Sequence, residues 1–280
     1  MPMMHLYNET CFECSKIITQ KYSTSFSLGI KAFDKRFHYP IYAIYGFVRY
    51  ADEIVDTFHH QDKLTLLNRF KAETFEAILD KISMNPVLHS FQLVVNEYGI
   101  EPGLITAFLR SMEMDLEKVA YDEQAYKDYI YGSAEVIGLM CLRVFCKDNR
   151  DLYDALQCQA KNLGAAFQKI NFLRDIKSDF EERGRTYFPK VNFLNFTEQD
   201  KKAIEEDILK DFEEGRKGIM GLPGECRAGV YIAYVYYREL LRKVSKTSAK
   251  NISNVRIRVS DKRKVWLLAQ ALVRHKLNMI

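Results

Sequence analysis

Two groups of side chains in this 280-residue chain have the types and spacing to do chemistry. The first lies in Arg49-Tyr50-Ala51-Asp52-Glu53-Ile54-Val55-Asp56, where Asp52 and Asp56 stand four residues apart. On a helix that spacing stacks both carboxylates on one face. Tyr45 and Val48 precede Asp52 by seven and four positions and share its stripe. A stripe that begins apolar and ends acidic should run toward the interior, where carboxylates need a cation. The plainer alternative is a solvated acidic turn, the ordinary fate of an isolated D-x-x-x-D.

The second group is Gln168, Asn171, Asp175 and Asp179. Its last three members recur at four-residue intervals, a polar ladder along one side of a helix, with Gln168 a turn before it. Short oxygen-bearing side chains on one face are what hard divalent cations such as Mg²⁺ require. The alternative is a solvent-facing stripe paired with Arg174, Lys177, Arg183 and Arg185, although the same cations could bind phosphate oxygens. Two acidic ladders with arginines beside both suggest a particular site. Carboxylates hold Mg²⁺, the metal bridges a diphosphate, and Arg or Lys neutralises the remaining charge. Other chemistries lack their parts: there is no Walker loop, no G-x-G-x-x-G after a strand and no H-E-x-x-H. The histidines, His5, His38, His59, His60, His89 and His275, show no ligand spacing, and no Ser-His-Asp motif is present.

The elements that must position these residues read as helices. Apolar residues recur at three- and four-residue spacing nearly everywhere, and no proline falls between Pro102 and Pro189. Pro40 opens the helix that carries Asp52, and Asn85-Pro86, Tyr98-Gly99 and Glu101-Pro102 punctuate the next ones. Long helices are expected over about 122–145 and 151–182, the latter carrying the second ladder. Arg183-Gly184-Arg185 breaks it and Tyr187-Phe188-Pro189 ends it. Further helices are expected near 197–219, 225–245 and 260–278. With no low-complexity linker and no short repeat, residues 1–280 are expected to form a single all-α domain.

Hydrophobic residues make up 48% and charged residues 28%, which excludes a disordered chain. No run approaches the length of a membrane-spanning helix, and the N-terminus lacks a signal-type apolar run, so a cytoplasmic location is expected. Cys11 and Cys14 form a lone C-x-x-C with no second pair, and the six cysteines are expected to be reduced. The net charge of +4 hides an asymmetry: from Arg242 to Ile280 there are eleven Lys/Arg and one acid, Asp261. A general nucleic-acid binder would be basic more broadly, and no nucleic-acid partner is expected.

The motifs, taken in order, resemble those of the squalene/phytoene synthases, the head-to-head isoprenyl diphosphate synthases. Ser23-Thr24-Ser25-Phe26-Ser27-Leu28-Gly29 looks like the family's N-terminal signature. Tyr42 through Asp56 is similar to its Y-A-x-Y-x-F-x-R-x-x-D-D/E-x-x-D. Met114-Asp115-Leu116 and Tyr129 through Gly138 look like its middle segments. Leu163 through Asp179, followed by Arg183 through Pro189, is the most specific block. One departure is Glu135, where the family usually has glycine; a carboxylate there could narrow or polarise a neighbouring cavity, or point elsewhere.

The resemblance implies an isoprenoid synthase fold with helices around a central cavity. It implies that Asp52, Asp56, Asn171, Asp175 and Asp179 bind Mg²⁺, with Mn²⁺ as a substitute and Gln168 beside them. Arg49, Arg174 and Arg256 would contact diphosphate; Phe26, Tyr45 and Tyr237 would line the reacting end; Tyr129 would sit near the chemistry, with Asp115 a weaker carry-over. Residues on the helices near Phe26 and Leu139 are expected to form the cavity floor. The expected reaction joins two geranylgeranyl diphosphates to phytoene through a cyclopropylcarbinyl diphosphate. The alternatives are squalene or dehydrosqualene from two farnesyl diphosphates, with NADPH needed only for squalene, and a catalytically silent helical relative that binds partners. Part of the basic C-terminal excess is expected to fold back on the diphosphate site. The rest, Lys262, Arg263 and Lys264, is expected to face solvent or the inner face of a membrane in peripheral contact. The oligomeric state is not legible.

Overall fold

Start and stop residues place the helices. Asn85 accepts hydrogen bonds from the Val87 and Leu88 amides with Pro86 in the first turn, and Gly99, at φ 61°, ends the same helix in the left-handed conformation. Thr197 and Asp200 form a reciprocal capping box. The computed structural model describes residues 2–117, 120–181, 184–189, 191, 195–252 and 257–276. It is 83% helical, with no strand among the described residues. In chain order the helices are α1 (Pro2–Tyr22), α2 (Thr24–Ile30), α3 (His38–Asp56), α4 (Lys63–Asp80), α5 (Pro86–Tyr98), α6 (Pro102–Glu117), α7 (Glu123–Ile130), α8 (Val136–Cys146), α9 (Arg150–Glu181), α10 (Glu198–Gly221), α11 (Gly224–Ser245), α12 (Ala249–Ile252) and α13 (Asp261–Lys276). A π-helical turn, Tyr131–Glu135, joins α7 to α8, so the helix expected near 122–145 is one rod with a local widening. Where both expected ends fall among the described residues, for the helices expected near 122–145, 197–219 and 225–245, the observed ends differ by no more than two residues.

Two apolar clusters hold the rods. One gathers α3, α5, α6 and α8, with Phe47 stacked on Phe91 at 4.0 Å and tilted against Phe108 at 5.2 Å. The other gathers α7, α9, α10 and α11 around Ile170, Leu173, Phe212 and Leu240. The long helix α9 packs against both α8 and α10. Two glycines permit that closeness. A Cβ at Gly164 would meet the Ala134 carbonyl at 2.7 Å, and one at Gly218 would meet the Gln159 Cβ at 2.4 Å. The span Glu123–Cys146 is long and apolar enough to cross a bilayer, yet most of its apolar window is buried inside the protein. It is a core helix here. The cysteines are free thiols, and burial raises those of Cys11, Cys141, Cys146 and Cys226.

Candidate active site

The helices enclose a cavity of about 510 Å³. Its wall follows α9 from Leu156 to Arg174, eighteen residues or roughly 27 Å at 1.5 Å per residue. The two ends differ in chemistry. At the Leu156 end the wall is Phe33, Phe145, Leu156, Ile219 and Leu222; at the Arg174 end it is Arg49, Asp52, Gln168, Asn171 and Arg174. The stripe Tyr45, Val48, Arg49, Asp52 lies on this wall as the sequence spacing predicts.

At the polar end each ladder carries its own arginine. Arg49 bonds Asp52 at 2.6 Å and also pairs with Glu53, and its guanidinium lies 4.3 Å over the Tyr22 ring. Arg174 forms a two-pronged pair with Asp175, Nε donating at 2.9 Å. Asp56, Asp115, Asp175 and Asp179 stand off the cavity wall. Three of them are tied together by a residue the sequence offered only as one of several nearby cations. Arg185 is buried; its Nη1 lies 3.2 Å from Asp56 and 3.3 Å from Asp115, while its backbone N–H donates to the Asp179 carbonyl at 2.8 Å. One residue, by its side chain and its backbone N–H, thus connects α3, α6 and the end of α9. Its only sequence signal was its place in the Arg-Gly-Arg-x-Tyr that follows the second ladder.

Asp115 is the hub of this buried cluster. Tyr129 Oη donates to it at 2.7 Å and Tyr187 Oη at 3.2 Å, and Nη2 of Arg185 donates to its carbonyl at 3.0 Å. Burial pushes the Asp115 carboxyl up to about 7 despite the adjacent guanidinium. Burial and then Asp115 hold the Tyr129 phenol well above its usual range, so it stays a donor. Tyr129 also faces the cavity. Phe26 and Tyr45 lie together, ring centroids 5.1 Å apart, and Tyr237 stacks on Phe167 at 4.1 Å, all on the wall. Burial raises the Tyr45 phenol to about 12.

Several expectations are corrected. The helix around Leu139 does line the cavity, through Ile137, Gly138, Cys141, Leu142 and Phe145, while Leu139 itself is buried off that stripe. Lys264 does not face open solvent. It lines the cavity, bonding Asp261 at 3.1 Å and Thr24 at 3.3 Å. Arg263 is tied to Glu239 at 3.1 Å. Glu135 is absent from the wall; the charges that act on it are those of Lys161, Asp211 and Lys169. Arg183 and Arg256 lie outside the described residues. Besides Arg185, sequence reasoning missed Tyr236 and Lys264 as wall residues.

The polar end fits a magnesium diphosphate. The Oδ1 atom of Asn171 is buried without a hydrogen-bond partner. A buried acceptor left this way is costly unless a cation or donor joins it. Among the described residues no three His, Cys, Asp or Glu side chains are grouped to hold a metal by themselves. Mg²⁺ does not need such a cage, since it keeps waters and takes one or two carboxylates together with substrate phosphates.

Comparison with known proteins agrees with this geometry. The sequence profile of the squalene/phytoene synthases matches residues 19–263. A phytoene synthase of Cereibacter sphaeroides is 24% identical over 88% of this chain and 75% of its own. A 15-cis-phytoene synthase of Synechocystis is 26% identical over 94% and 87%. Among solved structures, a dehydrosqualene synthase with bound ligand superposes with a TM-score of 0.83 at 25% identity, covering 96% of this chain and 98% of that one.

Proposed function

This chain belongs to the squalene/phytoene synthase family of head-to-head prenyltransferases, and we propose that it joins two geranylgeranyl diphosphates to make phytoene. The carrying observation is the division of one long cavity into a charged end and an apolar remainder. Such a space suits two chains whose polar heads meet at one end.

Each residue then has a task. Arg49, Arg174 and Lys264, all on the cavity wall, present cationic groups to a diphosphate. Mg²⁺, held by Asp52, Asp56, Asn171, Asp175 and Asp179 with Gln168 beside them, would supply Lewis-acid neutralisation of the departing diphosphate. The apolar wall excludes water from the allylic carbocation left behind. The rings of Phe26, Tyr45, Tyr129, Phe167 and Tyr237 offer π faces to that cation. Tyr129, fixed by Asp115, keeps its proton and acts through its ring and an oriented hydroxyl rather than as a phenolate. The double bond of the second substrate attacks the first carbon of the cation. Proton loss closes a cyclopropylcarbinyl diphosphate, and a second ionisation and rearrangement followed by proton loss give the hydrocarbon.

A second reading uses two farnesyl diphosphates to give dehydrosqualene, or squalene with NADPH. It is favoured by the likeness to the dehydrosqualene synthase structure. The purified chain, incubated with Mg²⁺ and each diphosphate with and without NADPH, tests both. Phytoene from the longer substrate supports the first reading, a thirty-carbon product from the shorter one supports the second, and no hydrocarbon under any condition overturns both.

A further inference from the structure

The C-terminal helix α13 has two faces with different company. Leu267 and Leu268 line the cavity and Ala271 is buried. The opposite face is apolar yet uncovered. Val265 is 59% exposed, Trp266 49%, Leu272 37% and Val273 56%. Residues 265 and 272, and likewise 266 and 273, stand seven apart, so they form one stripe along the helix. A lone exposed leucine would be ordinary; a tryptophan within a continuous apolar stripe is not.

The charge around the stripe is one-sided. Lys262, Arg258 and Arg274 are exposed near it, and the segment from Arg242 onward holds eleven Lys/Arg against one acid. The helix is anchored from one side only: it packs chiefly on α11, through Leu267 and Ala271 and through the bonds of Arg263 to Glu239 and Arg274 to Tyr231. An apolar stripe with an interfacial tryptophan and a basic border is the arrangement that lies in the plane of a membrane surface.

We propose that α13 docks this protein on an anionic lipid bilayer, with Val265, Trp266, Leu272 and Val273 entering the headgroup boundary. The occupant is a lipid surface rather than an acidic protein, because the basic residues border an apolar stripe instead of replacing it. The geometry does not depend on the reaction, but the reason for docking rests on the reading above. A hydrocarbon product has no stable place in water, and α13 is the one helix, among the described residues, that combines a cavity-lining face with such a stripe on its outer face. Product then has only one helix to pass between cavity and bilayer.

Trp266 is the only tryptophan in the chain, so it reports on its own environment. Vesicles of equal parts phosphatidylglycerol and phosphatidylcholine should shift its emission to the blue and pellet the full-length protein. Vesicles of phosphatidylcholine alone should do so weakly, and added salt should reverse the effect. Lys262→Glu, which keeps the tryptophan, should weaken binding by on the order of tenfold. Val265→Ser with Trp266→Ser should abolish pelleting while the melting temperature and turnover of detergent-dispersed substrate stay near wild type. No shift and no pelleting with anionic vesicles would overturn the proposal. So would equal binding to neutral vesicles, wild-type pelleting by the double variant, or a blue shift that grows with protein concentration without lipid, the sign of a second copy on α13. The emission shift and the pelleting do not require turnover, so they stand or fall apart from the product assignment.

Discussion

The Arg185 guanidinium meets Asp115 at two points, Nη1 lying 3.3 Å from the carboxylate and Nη2 donating to the backbone carbonyl at 3.0 Å. The same guanidinium reaches Asp56 at 3.2 Å. A residue beyond the second ladder therefore pins the first, and the alignment of the two acidic helices depends on it. Arg185→Met leaves a buried carboxyl without its cation, and breaking such a pair costs about 3–5 kcal/mol. Urea denaturation should show that loss, with an unchanged denaturant slope marking it as a stability effect. A midpoint within error of wild type would mean the pair does not hold the helices.

Asp115 makes stability depend on pH in a stated direction. Its folded carboxyl is raised from the ordinary 3.8 to about 7, so the folded protein keeps a proton that the unfolded chain releases earlier. The contribution is fully present below 3.8 and is lost as pH rises to about 7. Denaturation midpoints measured across that range should fall more steeply for wild type than for Asp115→Asn. Parallel curves would show that Asp115 does not titrate there.

Tyr129→Phe removes the bond to Asp115 and leaves the ring. Loss of one buried hydrogen bond to a charged partner costs about 1.5–3 kcal/mol. If the oriented hydroxyl matters to the chemistry, kcat should fall by at least tenfold while the melting curve shifts modestly. Unchanged kcat would reduce Tyr129 to a structural ring.

Both ladders were legible before any coordinates because helical spacing converts sequence into faces. The intervals 45, 48, 52 and 171, 175, 179 needed only the period of a helix. Helix ends were legible at Asn85-Pro86 and Gly99 for the same local reason. Arg185 was not, because its partners Asp56 and Asp115 are 129 and 70 residues away in sequence and only packing brings them together. Lys264 was misread for a related reason: a run of Lys-Arg-Lys looks solvated until Thr24 and the cavity are placed beside it. The neighbourhood of Leu139 was legible but not its facing, since Gly138 and Cys141 line the cavity and Leu139 does not.

Cavity length should set substrate choice. Cys141 lies on the apolar wall of α8. Cys141→Phe fills part of that space and should move the preference toward farnesyl diphosphate by roughly tenfold in the ratio of kcat/KM values. An unchanged ratio would place the chain terminus elsewhere.

The ladders themselves face a harsher test. Asp52→Ala and Asp175→Ala should each lower turnover by about a hundredfold or more and raise the Mg²⁺ concentration needed for half-maximal rate. Near-normal turnover at ordinary Mg²⁺ would remove both from the proposed metal role.

The most direct measurement follows the carbon atoms. Geranylgeranyl diphosphate labelled with carbon-13 at its first carbon is given, with Mg²⁺, to the purified chain, and the hydrocarbon is examined by NMR. Head-to-head joining predicts a forty-carbon product in which the two labelled atoms are bonded to each other. They are equivalent by symmetry and give one carbon signal, and the AA′XX′ pattern of the protons they carry shows the one-bond carbon–carbon coupling. A product whose labels are not adjacent, or a prenyl alcohol in place of a hydrocarbon, would contradict it.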